Sequence, residues 1–154
     1  MKLKNKKGFT TLEILIVLSI MSILTAIVFS AFINVRKNQA LAIDTSTIVE
    51  VLRQARSQTL SSYSSSRYGV RLSSVKVTLF AGSSYNPNDS ANKDFILNSS
   101  DTILTITLVG GGSDVLFDRL TGETSQNGTV VLSSPSTGET KTVTIYKTGL
   151  VESD

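Results

Sequence analysis

The chain has no cysteine, no histidine and no tryptophan, and its 154 residues include only two prolines. Without cysteine there is no disulfide framework, and without cysteine and histidine the usual zinc sites are excluded. Serine is plentiful, yet no imidazole can activate one. Ser-His-Asp and Cys-His nucleophilic chemistry are therefore ruled out. No carboxylate pair has a recognisable catalytic setting, so the sequence reads as a non-enzyme with no cofactor and no metal. The length allows one modest domain with an appendage. A cysteine-free domain of this size must hold itself by packing or through a partner.

Charge is unevenly distributed. The excess of three positive charges comes from 15 Lys and Arg against 12 Asp and Glu. Lys2, Lys4, Lys6 and Lys7 stand in the first eight residues with no acid among them. Residues 34 to 76 hold seven bases and two acids, whereas residues 77 to 154 hold four bases and nine acids. One expectation is that basic helix flanks of one subunit meet the acidic heads of others; the other is two solvated faces of a single subunit. Arg53, Arg56, Arg67, Arg71 and Lys76, with Tyr63 and Tyr68, could track phosphates and stack bases. The acidic remainder and the terminal Glu152-Ser153-Asp154 argue against nucleic acid as a partner.

Phe9 to Ile33 is the one long apolar run, FTTLEILIVLSIMSILTAIVFSAFI, broken by a single ionisable side chain, Glu13. As a helix it measures roughly 37 Å, enough to cross a hydrocarbon core of about 30 Å. The lysines before it place the N-terminus in the cytoplasm and the rest of the chain outside. A secretory signal peptide cut near Ser30 or Ala31 is the competing reading. Such peptides have a shorter apolar core and no glutamate. Ser19, Ser22, Thr25 and Ser30 recur near helical spacing, and small residues let membrane helices approach closely.

Lys6-Lys7-Gly8-Phe9-Thr10-Thr11-Leu12-Glu13 resembles the cleavage motif of type IV prepilins: a basic leader ending in glycine, then phenylalanine, then glutamate five positions into the mature chain. The resemblance implies that a membrane prepilin peptidase cuts between Gly8 and Phe9 and methylates the new N-terminus. It assigns Gly8 and Phe9 to processing and Glu13 to assembly, as the counter-charge to a neighbouring subunit's α-amine. Thr11-Leu12 departs from the apolar pair found in many members.

Beyond Ile33 the pattern becomes amphipathic. Ile48, Val51, Leu52 and Ala55 fall at i, i+3, i+4 and i+7, with Leu41 on the same stripe. One helix is predicted from about Phe9 to Leu60, followed by a serine-rich loop. From Tyr68 onward short β-branched runs predict strands at 68–72, 75–80, 95–97, 103–109, 115–118, 130–132, 143–146 and 150–151. Gly110-Gly111-Gly112 is expected to join two of them as a hairpin. Ser83 to Asp94 is a polar insertion, expected to be a solvated turn region rather than a calcium loop.

The order of elements predicts an α+β fold with an antiparallel sheet. Four segments follow: a basic leader 1–8 that is removed, a transmembrane or filament-core helix 9–33, an amphipathic continuation 34–60, and a β-rich head 61–154. Arg53-Gln54-Ala55-Arg56, Tyr68-Gly69-Val70, Val115 to Gly122 and Val143 to Gly149 are similar to the heads of H-type minor pseudopilins of type II secretion and related minor pilins. The resemblance implies the pilin fold, a long N-terminal helix packed on the sheet. It also implies a role as a minor pseudopilin or pilin subunit of a secretion or pilus-like filament. The partners it implies are prepilin peptidase, other pilin or pseudopilin subunits, an inner-membrane assembly platform, and membrane lipid before assembly. The location would be the inner membrane, then a periplasmic or cell-surface filament. A major pilin, a DNA-uptake minor pilin and a membrane-anchored β-domain receptor or adhesin are the alternatives.

Overall fold

The computed structural model describes residues 8–154, without the side chains of Asn34 and Ser64. The expected leader therefore lies, apart from Gly8, outside the described residues. The chain forms two units, the first ending at Arg36 and the second running from Lys37 to Asp154.

One helix, α1, spans Thr11–Leu60. It contains neither proline nor glycine, so nothing in its backbone favours a break. In the first unit it carries an apolar stretch of mean hydropathy 2.6, none of it buried inside the chain. Length and composition suit a membrane span. Its hydroxyls are satisfied locally: Ser19 donates to the Ile16 carbonyl and Thr25 to that of Met21, at 2.8 and 2.7 Å. Back-bonding of this kind removes an unpaired donor from a hydrocarbon-facing helix.

Within the second unit the helix turns one stripe inward. Leu41, Ile48, Val51, Leu52 and Ala55 are buried, as their spacing predicts, and Asp44, Thr45 and Thr59 are buried with them. The polar members have uses. Thr45 donates to the Leu41 carbonyl, and Thr59 donates to the Ala55 carbonyl while accepting the Tyr68 N–H at 2.9 Å. That last bond fixes where the chain re-enters after the helix. The helix ends in serines: Ser62 takes a left-handed conformation (φ 50°), and Tyr63–Ser65 form a 3₁₀ turn.

Eight strands follow: β1 (Tyr68–Ser73), β2 (Lys76–Ala81), β3 (Lys93–Ile96), β4 (Thr102–Leu108), β5 (Asp114–Leu116), β6 (Gly128–Ser134), β7 (Glu139–Ile145) and β8 (Val151–Ser153). All pairings are antiparallel, in two four-stranded sheets ordered β3-β2-β1-β5 and β4-β6-β7-β8. The fold is thus α+β, a long N-terminal helix packed through its second half on antiparallel sheets. Alternation on β6 and β7 sends Val130, Leu132, Val143 and Ile145 into one core with α1 and the inner face of the first sheet.

Two local expectations are corrected. Gly110-Gly111-Gly112 does not close a hairpin. Three successive positive φ values (84°, 75° and 82°) curl the chain away from β4, and β5 pairs with β1 in the other sheet. Only glycine takes that conformation repeatedly without strain. The polar insertion ends sooner than expected, because Lys93 and Asp94 already belong to β3. Its Tyr85 ring meets Phe80 edge-on at 5.6 Å and lies 5.4 Å from the Arg71 guanidinium. The loop thereby covers the outer face of β2, which explains why Val77, Thr78, Leu79 and Phe80 are all buried in a row.

Candidate functional site: the N-terminal junction

Gly8, Phe9 and Thr10 precede the helix and are exposed, Phe9 by 78%. The Thr10 carbonyl accepts the first helical bond, from Ile14 N–H at 3.2 Å, and the Thr10 hydroxyl oxygen accepts the Glu13 N–H at 3.2 Å. Thr10 is therefore the N-cap, and Glu13 is the third helical residue. A helix start leaves its first N–H groups without carbonyl partners, and a threonine oxygen satisfies one of them. Sequence reasoning passed over Thr10, although the Thr-x-x-Glu spacing of a capping box was there to be read.

The cap sets the conformation of the bond before it. The Gly8–Phe9 peptide lies outside the helix, with its carbonyl and N–H uncommitted to the helical ladder. An accessible peptide outside regular secondary structure is the form a protease can engage. A Cβ added at Gly8 would meet nothing within 4 Å.

Glu13 shares a shallow groove of about 210 Å³ with Phe9, Ile14, Val17 and Leu18. Among the described residues its carboxylate has no ion-pair partner, the three salt bridges lying elsewhere. The structure brings Phe9 and Glu13 to one turn of helix lined by apolar side chains.

The second unit uses most of its cations internally. Arg67 pairs with Asp118, Arg71 with Asp114 at 3.1 Å, and Lys76 with Asp94 at 2.7 Å. Arg53 donates to the Val151 carbonyl at 2.9 Å, and Arg56 to the Gly122 and Thr148 carbonyls at 3.0 and 3.4 Å. Each salt bridge joins a base from the basic segment to an acid from the acidic one. Three pairs of the charge asymmetry are thus formed inside one subunit. Tyr68 is buried, and so presents no face on which a base could stack.

In the insertion, side-chain oxygens serve the loop itself. Asn86 accepts the Asn88 N–H, Asp89 accepts the Ala91 N–H, and Asp94 accepts from Lys76 and Thr78. These are turn-forming bonds of the Asx type and a cross-strand pair.

Residues 3–29 match the family described as the prokaryotic N-terminal methylation motif. No curated protein and no solved structure matches the chain. The motif implies processing by a prepilin peptidase and assembly with other pilins, and the apolar helix it covers is consistent with membrane anchoring. That motif, followed by a long helix and then antiparallel sheets, supports a type IV prepilin-like protein.

Proposed function

We propose that the protein is a minor pseudopilin or minor pilin subunit. A prepilin peptidase cuts it between Gly8 and Phe9, after which it enters a filament through its apolar helix. The observation that carries the processing step is Gly8. It stands with Phe9 inside the matched methylation motif, where a small residue would let the peptidase approach the bond closely.

Cleavage would free an α-amine on Phe9, one helical turn from Glu13. In a filament core an unpaired charge of this kind is strongly destabilising, and a carboxylate from the next subunit offsets it. Glu13 then sets the axial stagger between neighbouring helices. The precursor would lie with its N-terminus in the cytoplasm and its head outside, held by an inner-membrane assembly platform. It acts as a structural subunit rather than a catalyst. The minor rather than major assignment is supported by the likeness of Arg53–Arg56, Val115–Gly122 and Val143–Gly149 to the heads of H-type pseudopilins.

Intact mass and N-terminal sequence, with and without co-expressed prepilin peptidase, test the reading. A chain beginning at methylated Phe9 supports it, and a chain left uncut in the presence of the enzyme refutes it. Gly8→Ala should slow or block cleavage. Glu13→Ala should leave cleavage largely intact and impair incorporation into filaments. Normal assembly of that variant would remove the counter-charge role. Filaments formed by this protein alone would make it a major pilin instead.

A further inference from the structure

One end of the head gathers positive charges that the chain does not neutralise. Arg53 and Arg56 line a groove of about 730 Å³ between α1 and the segment Gly149 to Glu152. Both guanidinium groups are held by backbone carbonyls: Arg53 by that of Val151, Arg56 by those of Gly122 and Thr148. A carbonyl fixes the direction of a guanidinium and leaves its charge and its remaining N–H donors free. The two turns seated on Arg56 each add an exposed cation, Arg119 before Gly122 and Lys147 before Thr148. None of the four belongs to an ion pair among the described residues. Two acids stand against them. Glu152 lines the groove and accepts the Tyr146 hydroxyl at 3.0 Å, and Glu123 follows the first turn. Glu50 shares a separate cleft with Arg53, with no ion pair between them.

Leucines accompany the charges. Leu60 and Leu150 line the groove and are exposed, and Leu120 is 90% exposed with φ at 77°. That left-handed conformation costs a leucine free energy, and within this chain the side chain buries almost nothing in return. The turn that carries it is tied down. Asp118 N–H donates to the Glu123 carbonyl and Gly122 N–H to the Asp118 carbonyl, both at 2.8 Å, and the Asp118 carboxylate pairs with Arg67. A side chain displayed on a rigid turn costs less ordering entropy when a partner covers it.

We propose that this end of the head docks the acidic face of a different pilin-type subunit, whose carboxylates meet Arg53 and Arg56 and whose apolar surface takes Leu120. The inference rests on the filament reading and names one contact within it. The same face of a second copy is basic and repels it. Exposed leucines and the Glu152 carboxylate suit a protein surface better than a run of phosphates.

The test uses the absence of cysteine from the chain. Ser57→Cys places a single thiol in the groove wall, to be loaded with benzophenone maleimide in cells carrying the assembled filament. Illumination should join this chain to another pilin-type subunit through a peptide rich in Asp and Glu. Arg119→Gln combined with Lys147→Gln should cut the yield about tenfold, and high salt should do the same to wild type. Leu120→Gly separates docking from stability. Glycine accepts a φ of 77° readily, so the melting temperature of the full chain in micelles should hold or rise while the crosslink is lost. Equal yields from wild type and these variants overturn the proposal, as does a crosslink to lipid, to a second copy, or to nothing in filaments that contain the protein. So does a salt-sensitive shift of duplex DNA that Arg53→Gln abolishes, which would put phosphates where carboxylates are assigned. Intact mass of the same samples scores the filament reading separately: a chain left uncut refutes that reading and removes the partner named here.

Discussion

Thr10 and Gly8 stand two residues apart and answer to different partners. The Thr10 oxygen serves this chain's own helix. Thr10→Ala should cost about 0.5 to 2 kcal/mol at the helix start and speed amide exchange at Glu13 and Ile14 in micelles, while leaving the melting of the second unit unchanged. Gly149 is a glycine the fold does require. Its φ is 76°, and a Cβ there would collide with the Gly122 carbonyl oxygen and press on the Arg56 side chain. Gly149→Ala should lower stability by about 1 to 3 kcal/mol, seen as a fall in melting temperature that Arg56→Ala does not rescue, because the backbone clash remains. Both Gly8 and Glu13 are legible in the sequence because leader charge, glycine, phenylalanine and glutamate fall in one short window. Asp44 and Asp101 are not. They lie far apart in the chain, and nothing local marks an acid that will be buried.

At the scale of elements, the second half of α1 is held by a stripe whose members were readable from 3.6-residue spacing. Leu52 and Ile48 are fully buried on it. Leu52→Ala should destabilise the second unit by about 2 to 5 kcal/mol, measured by denaturant unfolding, whereas truncation of the exposed Ile43 should cost little. The eight strands sit close to their expected positions, since alternation and β-branching are local signals. Pairing is not local. Nothing in Gly110-Gly111-Gly112 itself tells a hairpin from a crossing between sheets, because that depends on which strand offers a free edge. The packing of the insertion is not local either: Tyr85 is one aromatic in a polar stretch, and its target, Phe80, lies on a separate strand. Tyr85→Ala should uncover Phe80 and weaken the first sheet, with increased exchange at β2 amides as the readout.

Within the second unit, Arg67, Arg71 and Lys76 of the basic segment pair with Asp118, Asp114 and Asp94 of the acidic one. The Lys76–Asp94 pair shows how this couples to pH. The hydrogen bonds from Lys76, first, and Thr78 hold the Asp94 carboxyl below its ordinary value, so its contribution is present above the unfolded pKa and is lost as pH falls through the folded one. Asp94→Asn should therefore be most costly near neutral pH and converge on wild type in acid, and high salt should shrink the difference. The route of the chain between the two sheets also governs how the head forms. The first sheet is complete only when β5 returns to β1, pairing Gly69 with Leu116, and by then β4 has already opened the second sheet. Contacts this distant in sequence close slowly, because the intervening loop entropy must be lost before pairing rewards it. During that delay β1 has an open edge with unpaired N–H and C=O groups, the form of backbone most prone to pair with another chain. A newly made subunit is thus most vulnerable to mispairing before residue 116 arrives, and a longer connection than Gly110-Gly111-Gly112 would lengthen that window.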